Sequence, residues 1–327
     1  MYYDKIANCL VPGNEVSYDK DHMGFRERML GPKDAHRADV VLVGVPFDGG
    51  TFRHVGTNEG PLGIRKGLDY FRTYSTEEEL DIVDYLTVAD VGNVDVYWND
   101  YHRTFARVDQ VVGPVLKNGQ FPLVLGGDHS ITYQLLKTAC EVTGKRLGVI
   151  WFDNHLDSMD SYHEDDLYCG TPLMNLDRHL GDHIAMKNVV HIGSRGFHNS
   201  RAMWENARRL GAKFVKAQEV KLRGIQAVVE EALEVAMDGT DALYLTLDID
   251  VADAVYAPGT QCPRPGGLDP HELCWAVRRI AEEKPLGFDI MEVAPPADVA
   301  DVTQMLAASL VLECLTGLSK HKIASGK

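Results

Sequence analysis

Short, mostly apolar runs alternate with longer amphipathic stretches along most of this chain. The runs are Val40-Val-Leu-Val-Gly-Val-Pro46, Pro122-Leu-Val-Leu125, residues 147–152, 189–193 and 242–247, and the segment from Leu286. Successive apolar positions leave no polar face, as in strands buried between two layers of a parallel sheet. Helical spacing of apolar residues predicts helices over 62–71, 104–116, 131–143, 201–210, 225–237, 270–283 and 302–315. Shorter strands are expected at 87–91 and 213–215, and a frayed tail at 320–327. Local punctuation agrees. Pro61 and Pro270 sit at first helical positions, Asp269 and Ser130 are placed to cap, and Phe47-Asp-Gly-Gly-Thr51 reads as a turn. Strands alternating with helices imply an α/β fold: a mostly parallel sheet with helices on both faces.

Residues 1–38 are polar and irregular. They read as an N-terminal arm that covers a site, packs on a neighbouring subunit or hugs the surface. Residues 39–327 contain no Ser/Pro-rich tract or long charge block, so one domain is expected there. Of the 327 residues, 45% are hydrophobic and 25% charged, an ordinary globular balance. The net charge of −15 disfavours nucleic acid and anionic membranes as partners and favours a cationic small molecule. No stretch reads as long enough to span a bilayer, and the N-terminus lacks a signal-peptide pattern. Six scattered cysteines read as reduced thiols of a cytoplasmic protein.

The chemistry is concentrated where three of the apolar runs end. The run 147–152 leads into Asp153, His155 and Asp157. Alternate residues of an extended segment point the same way, so these three side chains converge. Pro122-Leu-Val-Leu-Gly-Gly-Asp-His-Ser130 delivers His129, and Ala242-Leu-Tyr-Leu-Thr-Leu-Asp-Ile-Asp250 delivers Asp248 and Asp250. Any one of these ends could be a solvated acidic loop; three together point to a shared site at the carboxyl ends of a sheet. Two His and four carboxylates exceed the needs of one ion and suit two divalent ions with a shared carboxylate. Oxygen-rich ligation with imidazole suits Mn²⁺, and Ni²⁺ fits the same set.

Gly126-Gly-Asp-His-Ser130, Asp153-Asn-His-Leu-Asp157 and Asp248-Ile-Asp250 resemble the motifs of the ureohydrolase family, the arginase and agmatinase group. Ala257-Pro-Gly-Thr260, Gly266-Gly-Leu268 and Gly287-Phe-Asp-Ile-Met-Glu-Val293 extend the resemblance, which runs from about Val40 to Leu318 and looks nearest the agmatinase branch. It implies the three-layer α/β/α arginase-like fold and hydrolysis of a guanidino C–N bond. Glu292 would then hold the guanidinium, and Asp157, Cys169 or His163 would relay a proton to the leaving amine. It also implies a homo-oligomer, a trimer or hexamer, with a hetero-oligomer with a paralogue as the other arrangement.

The loop following Asp157 carries Asp160, Glu164, Asp165 and Asp166 with no Lys or Arg. It is expected to line the pocket, with Asp160 meeting the substrate, and to disfavour a carboxylate there. His54 and Asn58 lie in a loop that borders the site in the family. Three departures stand out. Cys169 replaces a His, Cys262 replaces a Thr that faces the guanidinium, and Ala252-Asp-Ala254 replaces Leu-Asp-Pro. The two thiols make the pocket less polar. The expected substrate is therefore a cationic guanidino compound without a carboxylate, as in agmatinases. Guanidine or an alkyl-biguanide, with nickel, is one alternative. A weakly active, metal-binding subunit of an active paralogue is another.

Overall fold

The computed structural model describes residues 24–326 except Phe52, His54, His163 and Asp165. The roles expected of His54 and His163, and most of the arm, lie outside the described residues. In chain order the elements are β1 (Val40–Val45), α1 (Gly60–Leu68), β2 (Tyr74–Ser75), β3 (Leu80–Asp81), β4 (Val88–Asn93), α2 (Tyr101–Lys117), β5 (Phe121–Gly126), α3 (Ser130–Thr143) and β6 (Leu147–Phe152). Then come α4 (Pro172–Leu180), β7 (Val189–Ile192), α5 (Arg201–Leu210), β8 (Lys213–Val215), α6 (Ala217–Arg223), α7 (Ile225–Met237), β9 (Ala242–Asp248), α8 (Pro270–Ala281), β10 (Phe288–Met291) and α9 (Val302–Ala324).

Eight strands form one sheet in the order β4-β1-β5-β10-β9-β6-β7-β8, and every pairing in it is parallel. Among the described residues, only β2 and β3 pair antiparallel, as a separate ribbon. The strands alternate their apolar side chains between two cores. Leu42, Leu123, Leu125, Ile150, Phe152, Leu245, Leu247 and Ile290 face one side, with Ile64, Val228, Leu273 and Leu310 from α1, α7, α8 and α9. Val41, Val43, Val124, Val149, Trp151 and Met291 face the other, with Val108, Leu136 and Leu173 from α2, α3 and α4. This is the expected three-layer arrangement. Each of the larger apolar side chains contributes about 1.5–3 kcal/mol by leaving water.

Four expectations need correction. Ser130 does not cap α3; it is the first helical residue, and the Asp128 carboxylate accepts its backbone N–H at 3.0 Å, its hydroxyl, and the Gly50 N–H at 2.7 Å. α1 ends at Leu68 rather than 71. α9 continues nine residues past 315, to Ala324, because its last turns are held from outside. Lys320 pairs with Glu78 and Glu282, His321 Nδ1 meets Glu282 O at 2.8 Å, and Lys322 pairs with Asp39. Extended in this way, α9 is long and apolar enough to cross a bilayer, contrary to the sequence reading, yet it is mostly buried against α1 and α8. α4 and α6 were not anticipated.

Candidate metal centre

Sheet register brings the ligand-bearing ends together. β6 and β9 are adjacent with Phe152 opposite Leu247, so Asp153 and Asp248 emerge side by side. β10 pairs Met291 with Asp248, which sets Glu292 beside them. β5 ends in Gly126-Gly127, where a Cβ on Gly127 would fall 1.8 Å from Phe47 O; only glycine lets the chain turn to present His129.

All six expected ligands converge. His129 Nδ1 lies 3.0 Å from Asp153 Oδ2, 3.2 Å from Asp157 Oδ2 and 3.5 Å from Asp248 Oδ2. His155 Nδ1 lies 2.9 Å from Asp250 Oδ2 and 3.6 Å from Asp153 Oδ1. The donors fall into two overlapping groups, His129–Asp153–Asp157 and Asp153–His155–Asp248–Asp250, with Asp153 common to both. Asp157 and Glu292 hold left-handed backbone, φ +44° and +65°, which costs a non-glycine residue energy and is found where surroundings impose it.

The donors fit divalent cations. His129 Nδ1 and Asp157 Oδ2 are buried and make no hydrogen bond within the described residues, although carboxylate oxygens crowd the imidazole. Burial, then the Asp250 and Asp153 charges, drives Asp248 well above the usual carboxylate range. Burial, then Asp153, pushes Asp157 up to about 7. Burial also works on Asp153, but both imidazoles outweigh it and hold that carboxyl well below its ordinary value. Four buried carboxylates around two imidazoles need added positive charge.

A supporting layer orients these ligands. Thr246 Oγ1 donates to Asp289 Oδ1 at 2.5 Å, so it accepts from His129 Nε2, 3.1 Å away. That bond fixes the tautomer with Nδ1 bare toward the carboxylates. Thr132 Oγ1 also donates to Asp289 Oδ1, at 3.1 Å. The loop after β7 braces two ligand turns. Arg195 donates to the carbonyls of Asp250 (2.8 Å), Ala252 (3.0 Å), Val251 (3.2 Å), Arg264 (2.9 Å) and Pro265 (3.3 Å). Asn199 accepts from Leu156 N at 2.9 Å and donates to Asn154 O at 3.0 Å.

A cavity of about 160 Å³ opens beside the ligands. Glu292, Cys169 and Cys262 line it, as expected, together with Met159, Tyr168, His198, Met203, Thr260 and Gln261. Asp160 does not. Its carboxylate is turned to Arg178 Nη2 (2.8 Å) and Asn206 Nδ2 (3.2 Å), and it is 60% exposed. Glu164 and Asp166 are exposed as well, so the loop after Asp157 reaches the cavity, as expected, through Met159, Tyr168, Cys169 and Gly170, but not through its described acids. Asn58 sits in the short turn Thr57–Glu59, outside the lining. His198, Gln261, Tyr168, Met159 and Met203 were missed. Their one signal was position, beyond the carboxyl ends of strands, in loops for the first four and in the first turn of α5 for Met203.

A parallel sheet with a carboxylate–imidazole centre at its strand ends defines the scaffold of a metal-dependent enzyme. The Arginase family model matches residues 38–317, and the chain belongs to that family. It is 34% identical to formimidoylglutamase of Halalkalibacterium halodurans over 90% of this chain and 92% of that protein. It is also 34% identical to mitochondrial agmatinase of Gallus gallus, over 86% of this chain and 81% of that protein. The crystal structure of formimidoylglutamase from Bacillus subtilis superposes with a TM-score of 0.89 at 29% identity, covering 97% of this chain and 98% of that one. Equal identity to the first two relatives does not single out the agmatinase branch.

Proposed function

We propose that this chain hydrolyses the guanidino C–N bond of a compact cationic guanidino compound without a carboxylate, releasing urea and an amine. One observation carries the reading. Glu292 Oε2, Gln261 Oε1 and Thr260 Oγ1 are buried at the cavity, with no hydrogen-bond partner among the described residues. Glu292 Oε2 and Gln261 Oε1 are acceptors and the Thr260 hydroxyl can also accept, which suits a donor-rich ligand such as a guanidinium, which carries N–H groups and no acceptor. No Lys or Arg belongs to the described lining. The cavity is close in size to one of about 150 Å³ that holds benzene, so the guanidinium and a short tail fill it.

In this reading Glu292 is the counter-charge. His129 N–H holds its Oε1 at 2.9 Å, which leaves Oε2 for the substrate. Asp153, Asp157, Asp248, Asp250, His129 and His155 would hold two divalent ions, Mn²⁺ or Ni²⁺ by donor chemistry. When bound, such ions acidify a water enough to supply hydroxide at neutral pH. The leaving amine must be protonated as the tetrahedral intermediate collapses. Asp157 at the centre and Cys169 are the groups at the cavity placed to carry that proton. A homo-oligomer, trimer or hexamer, is part of this proposal. The five described cysteines are free, which supports a cytoplasmic enzyme.

A second reading has support in the Arg264–His198 pair. Arg264 Nη2 lies 3.3 Å from His198 Nδ1, which sets a guanidinium behind the cavity wall. With formimidoylglutamase among the relatives, that pair favours a substrate bearing a carboxylate. The test is a kcat/KM comparison of guanidine, agmatine, alkyl-biguanides, guanidinobutyrate, arginine and formimidoylglutamate on Mn²⁺- and Ni²⁺-loaded protein. A carboxylated compound as best substrate replaces the first reading with the second.

A further inference from the structure

The run 189–193 is apolar except for His191, a side chain that the hydrolytic reading leaves unused. His191 lies inside β7, opposite Trp151 of β6 and Phe214 of β8, and is fully buried. Its ring packs on that of Phe214, with centroids 5.4 Å apart at 36°. Its Nε2 lies 2.6 Å from the carbonyl oxygen of His155. A carbonyl only accepts, so Nε2 carries the proton and donates it. Nδ1 makes no hydrogen bond within the described residues. An apolar side chain would suit a buried strand better than a ring with a bare nitrogen, so packing does not account for a His here.

The bond falls where the sheet ladder has stopped. β6 ends at Phe152, so the carbonyl of His155 has no strand partner. The turn beyond is held group by group. His155 N donates to Asp153 Oδ1 at 2.6 Å, Asn199 spans Asn154 O and Leu156 N, and His191 takes His155 O. The His155 imidazole meanwhile faces Asp250 at 2.9 Å. The aim of that ligand thus depends on a donor from the neighbouring strand. His129 is supported separately, through Thr246 and Asp289. The two imidazoles belong to different donor groups that share Asp153, so each group has its own support.

We propose that His191 is a positioning residue of the metal centre. By holding the His155 carbonyl it fixes the His155 imidazole toward Asp250. Its loss weakens the Asp153–His155–Asp248–Asp250 position and spares the His129–Asp153–Asp157 position. The inference rests on the two-ion reading of these ligands and is independent of which compound is hydrolysed.

Mn²⁺ is the probe. Metal-free protein is loaded, freed of excess metal and read by elemental analysis, by electron paramagnetic resonance and by competition with a chelator. Wild type should hold two equivalents per chain and give the spectrum of a spin-coupled pair. His191→Phe keeps a ring of similar shape and removes the donor. It should retain one equivalent with the spectrum of an isolated Mn²⁺, and bind the other roughly 10- to 100-fold more weakly. His191→Gln, whose amide reaches where Nε2 stood, should recover the pair; His191→Asn, shorter by a methylene, should not. Both amides burden the same buried position, so a fold defect would affect them alike, and their comparison decides the matter should His191→Phe not fold. A single equivalent in wild type would defeat the two-ion reading itself. Two equivalents in wild type with an unchanged pair in His191→Phe, equal weakening of both ions, or like behaviour of the two amide variants would each overturn the role of His191.

Discussion

The Glu292 carboxylate reaches across the sheet and accepts the backbone N–H of His129 at 2.9 Å. A group for the substrate and a group for the metal are thereby fixed as one unit, from β10 and from the turn after β5. Glu292→Gln keeps an acceptor for that N–H and removes only the charge. kcat/KM should fall on the order of a hundredfold or more, about 2.7 kcal/mol. Bound metal and Tm should stay unchanged. Loss of metal together with activity would show that Glu292 serves the centre and not the substrate.

Thr246 is the hydroxyl that sets the His129 tautomer. Thr246→Val conserves its shape and withdraws that hydroxyl, leaving His129 Nε2 and Asp289 without their shared partner. Metal affinity should drop roughly 10- to 100-fold, measured by competition with a chelator.

Asp90 and Arg65 form a mostly buried ion pair, 2.8 Å apart, with side chains 17% and 8% exposed. Burial raises the Asp90 pKa, but the Arg65 hydrogen bonds and charge outweigh it, and the net value is lowered. Because the folded pKa lies below the unfolded one, the contribution is present above the unfolded pKa and is lost as pH falls through the folded value. Asp90→Ala should cost on the order of 3 kcal/mol at pH 7. The gap between wild type and variant in denaturant melts should shrink below about pH 4. A gap independent of pH would mean that packing, and not charge, is lost.

Cys169 and Cys262 both line the cavity and are almost wholly buried. If they tune the substrate, Cys169→His with Cys262→Thr should raise kcat/KM on agmatine relative to the native compound by tenfold or more. Wild type that already prefers agmatine, with no change in the double variant, would remove any role for the thiols in specificity.

The ligands were legible by type, as carboxylates and imidazoles gathered where apolar runs end; the alternation itself does not survive, since β6 stops at Phe152 and Asp157 takes φ +44°, which turns it to His129 while His155 faces Asp250. Asp160 was misread because its direction is set by partners distant in sequence, Arg178 and Asn206, which no local pattern announces. The same holds for α9, whose last turns depend on Glu78, Glu282 and Asp39. Ser130 and Asp128 both carry capping side chains by type; the Gly50 N–H, brought over by the turn after β1, joins the Ser130 N–H on Asp128, and the Ser130 hydroxyl donates there instead of capping. His198 carried no motif and became visible only when its loop was seen beside β9.

Arg195 and Asn199 deserve one more test. Arg195→Lys cannot reach five carbonyls from a single ammonium. It should release metal faster, by stopped-flow chelation, with a smaller effect on the Tm of metal-free protein. Equal losses in both would reduce Arg195 to a fold residue.

His198 stands between these two braces, on the loop that ties down the turns bearing Asp250 and His155. A lineage that lengthens or rewrites this loop to accept a new tail disturbs its hold on metal in the same step. Divergence of substrate in such a scaffold is then gated by metal retention. Viable variants are those that vary position 198 while sparing 195 and 199, and a library randomised over 194–200 and selected for a new guanidino compound should return that pattern.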